Sequence, residues 1–114
     1  MAWTVLYHPD FLAEADGFPI EAQDGLLAMI RLLQQAGPHL KRPRCDTLKG
    51  SKHANMKELR FDAADGVWRV AFAFDPKRQA VLLVGGDKSG TSQKKFYKAL
   101  IRVADRRFDD WMEE

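Results

Sequence analysis

The chain has 114 residues, 46% apolar and 30% charged, with a formal net charge of +2 and a single cysteine. That length suits one domain over 1–114; no apolar run approaches the roughly 20 residues of a membrane span, and the opening MAWTVLYHPDF lacks the basic start and apolar core of a secretory signal. A lone Cys45 cannot staple a fold, which points to a reducing, cytoplasmic setting, and its isolation from His and other Cys argues against both a metal site and a nucleophile.

Trp3 to Tyr7 is a short β-prone run ended by His8-Pro9, and predicts a first strand. Asp10 has the chemistry to N-cap a short helix through Ala15, which Gly17 breaks. Pro19 suits the first turn of a second helix from Ile20 to Ala36, where Leu26, Met29, Ile30 and Leu33 recur at spacings of three and four. Gly37-Pro38 ends it. Glu14, Glu21 and Asp24 read as a solvated helix face, and this half signals no chemistry. Residues 38–54 form a basic stretch with two prolines and no periodicity, expected to be irregular. Loops of that length are usually functional or mobile. Its acid–base candidates are His53 and, behind it, His39, although a lone loop histidine is more often an ordinary polar residue.

Asn55 to Phe74 reads as a β-hairpin around Ala63-Ala64-Asp65-Gly66, with the glycine free to take positive φ. Pairing Asp62 with Val67 sets Phe61 against Trp68 and Leu59 against Val70 on one apolar face. The same register places Arg60 opposite Arg69 on the other face, with Glu58 one pair further along. Like charges roughly 5 Å apart repel by about 1 kcal/mol in water and about 3 kcal/mol at an effective dielectric near 20. An anion held between the two guanidinium groups offsets that cost. So does the plainer arrangement, in which both arginines snorkel or pair with Glu58 and Asp62.

Asp75 to Gln79 is a turn, and Ala80 to Gly85 a third strand whose Val81-Leu82-Leu83-Val84 is apolar on both faces. The class is α+β: a mainly antiparallel sheet of three to four strands, helices on one face. Gly86-Asp87-Lys88-Ser89-Gly90 presents a lysine at the sheet end but lacks the order of a Walker phosphate loop. A last helix, from about Ser92 to Met112, buries Tyr97, Leu100, Ile101, Ala104, Phe108 and Trp111, and carries Lys94, Lys95, Lys98, Arg102 and Arg106 elsewhere. Its acidic end, Asp109-Asp110 and Glu113-Glu114, opposes the helix dipole.

Charge is uneven. Residues 1–37 hold one base and five acids, 38–61 seven bases and two acids, and 86–108 again seven and two. Two basic segments thus flank the hairpin, as a phosphate-binding groove requires, although basic loops also serve solubility.

The strings LKGSKHANMKELRF, GVWRVAFAFDP and VLLVGGDKSG, followed by an amphipathic helix, resemble the RelE/HigB toxins of type II toxin–antitoxin systems, in the RelE/ParE superfamily and nearest its phage-derived Gp49-like branch. The likeness runs through nearly the whole chain. It implies a RelE-like fold with an N-terminal strand and helical pair. It implies cleavage of mRNA, commonly on the ribosome, without cofactor or metal, and neutralisation by a helix-turn-helix antitoxin encoded nearby, the toxin being a monomer within that hetero-oligomeric complex. RNA brings its own nucleophile, the 2′-hydroxyl, so the protein has to align it, neutralise the phosphate and move two protons. By the resemblance Arg69 stabilises developing charge, while Arg60 and Lys88 position phosphate. Lys49, Lys52, Lys57 and Lys94 are backbone contacts.

The chain departs from that pattern in Ser89, where many relatives have a second basic residue, and in offering no clear proton-transfer residue. Glu58 is read first as a partner of Arg60 and second as a base. Tyr97 lies in the right region, but a core role fits its helical stripe better. His53 stays open. The alternative within the superfamily is a ParE-like toxin that binds and inhibits DNA gyrase without cutting nucleic acid; such chains generally lack the basic groove. A third reading is a basic face that only binds an acidic antitoxin segment.

Overall fold

The computed structural model describes residues 2–114. β1 (Val5–Tyr7) leads into α1 (Pro9–Ala15) and α2 (Ile20–Ala36). β2 (Cys45–Thr47), β3 (Met56–Ala63), β4 (Gly66–Phe74) and β5 (Ala80–Asp87) follow, and α3 (Gln93–Met112) closes the chain. The five strands form one sheet in the order β1-β5-β4-β3-β2, with β1 parallel to β5 and every other pair antiparallel. The sheet gains a strand over the three to four expected, because Asp46 and its neighbours pair with Glu58 inside the stretch read as irregular. Three residues are too few for a periodic signal.

Helices cover both faces, not one. Leu59, Val70, Phe72 and Leu82 face α1 and α2, meeting Phe11, Leu26, Met29 and Leu33. Met56, Ala71, Ala73, Val81 and Leu83 face α3, meeting Leu100, Ala104 and Phe108. The two-sided apolar pattern of β5 carried that information. No helix among the described residues is long and apolar enough to cross a membrane.

Two helix starts differ in detail from the sequence reading. His8, not Asp10, caps α1: its Nδ1 accepts from the Asp10 amide at 3.1 Å, with Pro9 opening the helix. Pro19 occupies the cap position of α2 rather than its first turn. The acidic end of α3 is answered by the loop before β3. Asp109 pairs with Lys52 and lies 2.8 Å from His53 Nε2, and Ser51 donates to Asp105.

The hairpin register agrees with the sequence reading pair for pair, including Arg60 opposite Arg69. Its turn is tighter. Ala63 pairs with Gly66, leaving a two-residue loop in which Ala64 (φ 50°) and Asp65 (φ 58°) take the left-handed conformation. That is the pattern of a type I′ turn, which suits the twist of the strands. Gly66 is not left-handed; it is needed for closeness. A Cβ there would lie 2.5 Å from the Asp87 carboxylate.

Asparagine, aspartate and glycine tolerate the left-handed region, whereas alanine pays for it. Ala64→Gly should raise the unfolding free energy by about 0.5–1 kcal/mol in urea titrations. An unchanged midpoint would mean that the turn stores no strain.

Candidate functional site

The α3-facing side of β3 and β4 changes character along its length. At one end it is apolar, with Met56 and Ala73. At the other it carries Glu58, Arg60 and Arg69, on alternate residues of the same face. The N-terminal turns of α3, capped by Ser92 accepting from the Lys95 amide, bring Tyr97 over that charged end. A cavity of about 300 Å³ opens there between α3 and the edge strand β2. Arg42, Lys49, Arg60 and Lys88 contribute four cations to its walls, against the carboxylates of Asp46 and Glu58.

Tyr97 and Glu58 line this cavity, and Arg69, buried behind them and outside the lining, completes a three-residue hydrogen-bond unit. The Tyr97 hydroxyl donates to Glu58 Oε1 at 2.7 Å and accepts from Arg69 Nε at 3.2 Å. Arg69 also donates through Nη1 to its own neighbour's carbonyl, Trp68 O, at 2.9 Å. Glu58 and Arg69 are 5% and 6% exposed, with Nε and Oε1 3.7 Å apart. Charges this buried persist only when paired. Burial raises the Tyr97 pKa, and Glu58 raises it further by accepting the phenolic proton and by its charge; Arg69 acts in the opposite sense. Tyr97 is therefore held as the neutral phenol, with its proton aimed at a carboxylate. Lys88 sits above the ring, Nζ 5.9 Å from its centroid and 3.2 Å from Gln93 Oε1.

The opposed arginines need no anion between them. Arg69 turns toward Tyr97 and Glu58. Arg60 leans the other way, Nη1 lying 3.7 Å from Asp46 Oδ2. Asp46 is itself gripped by Arg42, whose Nε and Nη2 both approach Oδ2 at 2.8 Å. The hydrogen bond from Arg42 holds the Asp46 carboxyl below its usual range, helped by the Thr47 amide and by Arg60. The sequence reading paired Glu58 with Arg60 and offered Asp62 as a partner; the structure gives Glu58 to Arg69 and Asp46 to Arg60.

Lys88 is aimed by its neighbour. Asp87 Oδ1 accepts from the amides of Val67 and Ser89 at 2.9 Å each and from the Ser89 hydroxyl at 2.6 Å. These bonds, the Ser89 hydroxyl foremost, lower the Asp87 pKa. The Lys88 amide donates to Val67 O. Hairpin turn and lysine loop are thus one unit, and Ser89 has a defined place in it.

Among the expected contacts, Lys49 lines the cavity. Lys52 and His53 do not; both are engaged with Asp109 near the other end of α3, where His53 lies edge-on to Phe108. Lys57 alternates onto the α2 side of β3, in a separate cavity with Leu40 and Cys45. Lys94 is exposed on α3, and His39 is exposed at the end of the turn after α2. Burial pushes the Cys45 thiol up to about 11, which removes it as a nucleophile. Tyr97 packs its ring against the α3-side core, as its helical stripe implies, and its hydroxyl also joins Glu58 to Arg69. Asp46, Asp87 and Arg42 were missed altogether. Only Asp87 had a sequence signal, its place before the exposed lysine.

Residues 13–109 match the family described as phage-derived protein Gp49-like. Two Mycobacterium tuberculosis proteins designated toxins are similar in sequence. HigB3 is 45% identical over 81% of this chain and 78% of its own length; HigB2 is 40% identical over 82% of this chain but only 46% of its own length. Among solved structures, an arginine-to-alanine double mutant of the E. coli toxin RelE in the free state superposes with a TM-score of 0.65 over 90% of this chain and 96% of that one, at 10% identity. The archaeal RelE–RelB complex from Pyrococcus horikoshii gives 0.56 over 80% and 100%, at 17% identity. At such identities these two establish the fold alone.

The contact with Glu58 has a measurable consequence. Tyr7 and Tyr97 both have raised pKa values, Tyr7 through burial and then Asp16. Tyrosinate absorbance should therefore develop above pH 10 for both. Glu58→Gln removes a negative charge that disfavours tyrosinate, so one of the two transitions should move down while the Tyr7 transition stays. Identical titration curves for the two proteins would disprove the hydrogen bond.

Proposed function

The chain belongs to the Gp49-like family of phage-derived proteins and to the HigB toxins within it, and from that membership we propose that it is the toxin of a type II toxin–antitoxin pair, a cytoplasmic endoribonuclease acting on ribosome-bound mRNA. The observation that carries this reading is the Tyr97 hydroxyl, held between Glu58 and Arg69 at the floor of a cavity walled by cations. Its partner in the resting cell is the antitoxin, a helix-turn-helix protein encoded beside it.

The cavity walls suit a single RNA strand with the scissile phosphate over Tyr97. Arg60 and Lys88, which both line the cavity, take the non-bridging oxygens and resist turning of the phosphate. The 2′-oxygen attacks phosphorus as the bond to the 5′-oxygen breaks in line, leaving a 2′,3′-cyclic phosphate and a free 5′-hydroxyl. The proton of the 2′-hydroxyl passes to the Tyr97 oxygen while Tyr97 releases its own to Glu58 along the 2.7 Å hydrogen bond. The departing 5′-oxygen takes a proton from Lys88. Arg69 stands behind Tyr97, cancelling negative charge as it builds on the phenol and the phosphorane. This reverses the ranking of Glu58, from ion-pair partner to proton acceptor, and gives Arg69 an indirect role in proton transfer besides charge stabilisation. The nucleophile belongs to the RNA, so the scheme needs no metal-activated water.

The same cluster favours the nuclease over the gyrase-binding alternative. Inhibition by binding alone gives no use to a buried carboxylate hydrogen-bonded to a phenol that faces a basic cavity.

Tyr97→Phe keeps the ring under Lys88 and removes only the hydroxyl. It should lower the cleavage rate by about 10²–10⁴-fold without changing the folded spectrum. Arg69→Ala should abolish growth arrest yet leave binding to the antitoxin intact. Primer extension after induction should map new mRNA 5′ ends within codons. Intact messages accompanied by supercoiling defects would replace the nuclease reading with gyrase inhibition.

A further inference from the structure

The outer edge of β5 is only partly covered. β1 pairs with residues 80–82 and stops. Next along, the Leu83 carbonyl accepts from Arg107 Nη1 at 2.8 Å, and the same guanidinium holds Glu14 of α1 through two bonds of 2.8 and 2.6 Å. α1 and α3 therefore meet across the edge at Leu83. Beyond that clamp β5 continues to Asp87, and burial falls away: residues 80–83 are buried, 84–87 are not. On the inner side Gly86 pairs with Arg69, and the Lys88 amide donates to Val67 O. The alternation of an antiparallel ladder then turns the amide and carbonyl groups of Gly85 and Asp87 outward, away from β4.

An apolar cavity of about 340 Å³ adjoins this edge, lined by Val84 and Gly85 on the strand and by Phe96, Ala99, Leu100 and Val103 on α3. Lys95 also lines it. Lys94, Lys95, Lys98 and Arg102 are exposed along α3, and none joins an ion pair among the described residues. An exposed strand edge beside an apolar slot is a template for strand addition.

We propose that the outer edge of β5 is a docking site for an extended segment of a partner protein, added as a sixth strand beside Gly85–Asp87. Its alternate apolar side chains enter the cavity against Phe96, Ala99 and Val103, and its carboxylates meet Lys95 and Arg102. A strand is the form that matches outward-facing amide and carbonyl groups two residues apart; a helix has spent its own backbone donors and acceptors internally. The apolar lining suits side chains better than a phosphate backbone. The inference rests on the toxin–antitoxin reading, which supplies the partner: an acidic, extended segment of the antitoxin. It also places that grip away from the catalytic cavity. Phe96 faces the slot, Tyr97 faces the groove, and their rings meet edge-to-face at 5.4 Å. A strand bound on one flank of α3 thus bears on the helix turn that positions Tyr97 on the other.

Ala99→Glu tests this, because residue 99 is exposed and the change puts bulk and negative charge into the slot. The variant toxin and the wild type are titrated with the purified antitoxin, and amide hydrogen exchange is followed in the free and bound toxin. Affinity should fall at least 10-fold for Ala99→Glu and stay unchanged for Ala28→Glu, on the exposed face of α2, while mRNA cleavage by the free Ala99→Glu toxin is unaltered. The Gly85 and Asp87 amides should slow at least 10-fold in the wild-type complex. A tight complex that leaves both amides unprotected and is indifferent to Ala99→Glu overturns the docking site and leaves the pairing standing. Loss of RNA affinity in Ala99→Glu, with antitoxin affinity kept, overturns it in favour of an RNA surface. Absence of any complex removes both readings together.

Discussion

A carboxylate buried in the covered face of a sheet has to be answered by cations and donors from its neighbours, and Glu58 imposes that condition here. It is 5% exposed. In such surroundings the cost of an unpaired charge is several kcal/mol, more than one surface contact returns. Arg69, one pair along the ladder and on the same face, supplies the cation; Tyr97, reaching over from α3, supplies the donor. Neither alone suffices. Arg69 Nε is 3.7 Å from Glu58 Oε1, too far for a good hydrogen bond, so the phenol is the group that joins them. The docking of α3 on the sheet is thereby tied to the geometry of the cavity floor.

The same condition explains how two arginines tolerate being opposite one another. Repulsion of a few kcal/mol drives them apart, and each finds a carboxylate in the direction it leaves. Arg69 finds Glu58 from its own ladder. Arg60 finds Asp46 from the edge strand, where Arg42 completes the group. The outcome is a site with a hidden cation and an accessible one. Arg60 retains 24% side-chain exposure against 7% for Arg69, so substrate meets Arg60 and Lys88 first, and feels Arg69 through Tyr97.

Much of this was legible in the sequence, for identifiable reasons. The hairpin register follows from a period of two and a short turn, both local. The α+β class and the approximate extents of the three helices follow from equally local patterns. What was missed depends on distant pairings. Gly66 looks like a left-handed turn residue, but its need is for room beside Asp87, a residue 21 positions away. Tyr97 sits in an apolar helical stripe, and nothing near it in sequence says that the sheet beneath turns polar at that level. Lys57 directly precedes the groove residue Glu58 in sequence and still faces away, because alternation puts the two on opposite faces of β3. β2 is three residues long, and so Asp46, the partner of Arg60, was read as loop. His53 and Lys52 were drawn into the site by their basic context, whereas the acidic end of α3, read as a dipole cost, is what captures them.

That capture bears on how the groove holds its shape. Ser51, Lys52 and His53 fasten the loop before β3 to Asp105 and Asp109 of α3, and the same loop carries Lys49 into the cavity wall. At the opposite end, Asp87 fastens the Lys88 loop to the hairpin turn. The two lysines that flank the opening are thus both anchored through backbone held by carboxylates, one set on α3 and one on β5, while neither side chain has a carboxylate partner among the described residues. Acidic residues in this protein are therefore not merely a counterweight to its basic surface. They hold the cations at fixed points around Tyr97, where a flexible basic patch would bind phosphate without aligning it, and in-line attack requires alignment.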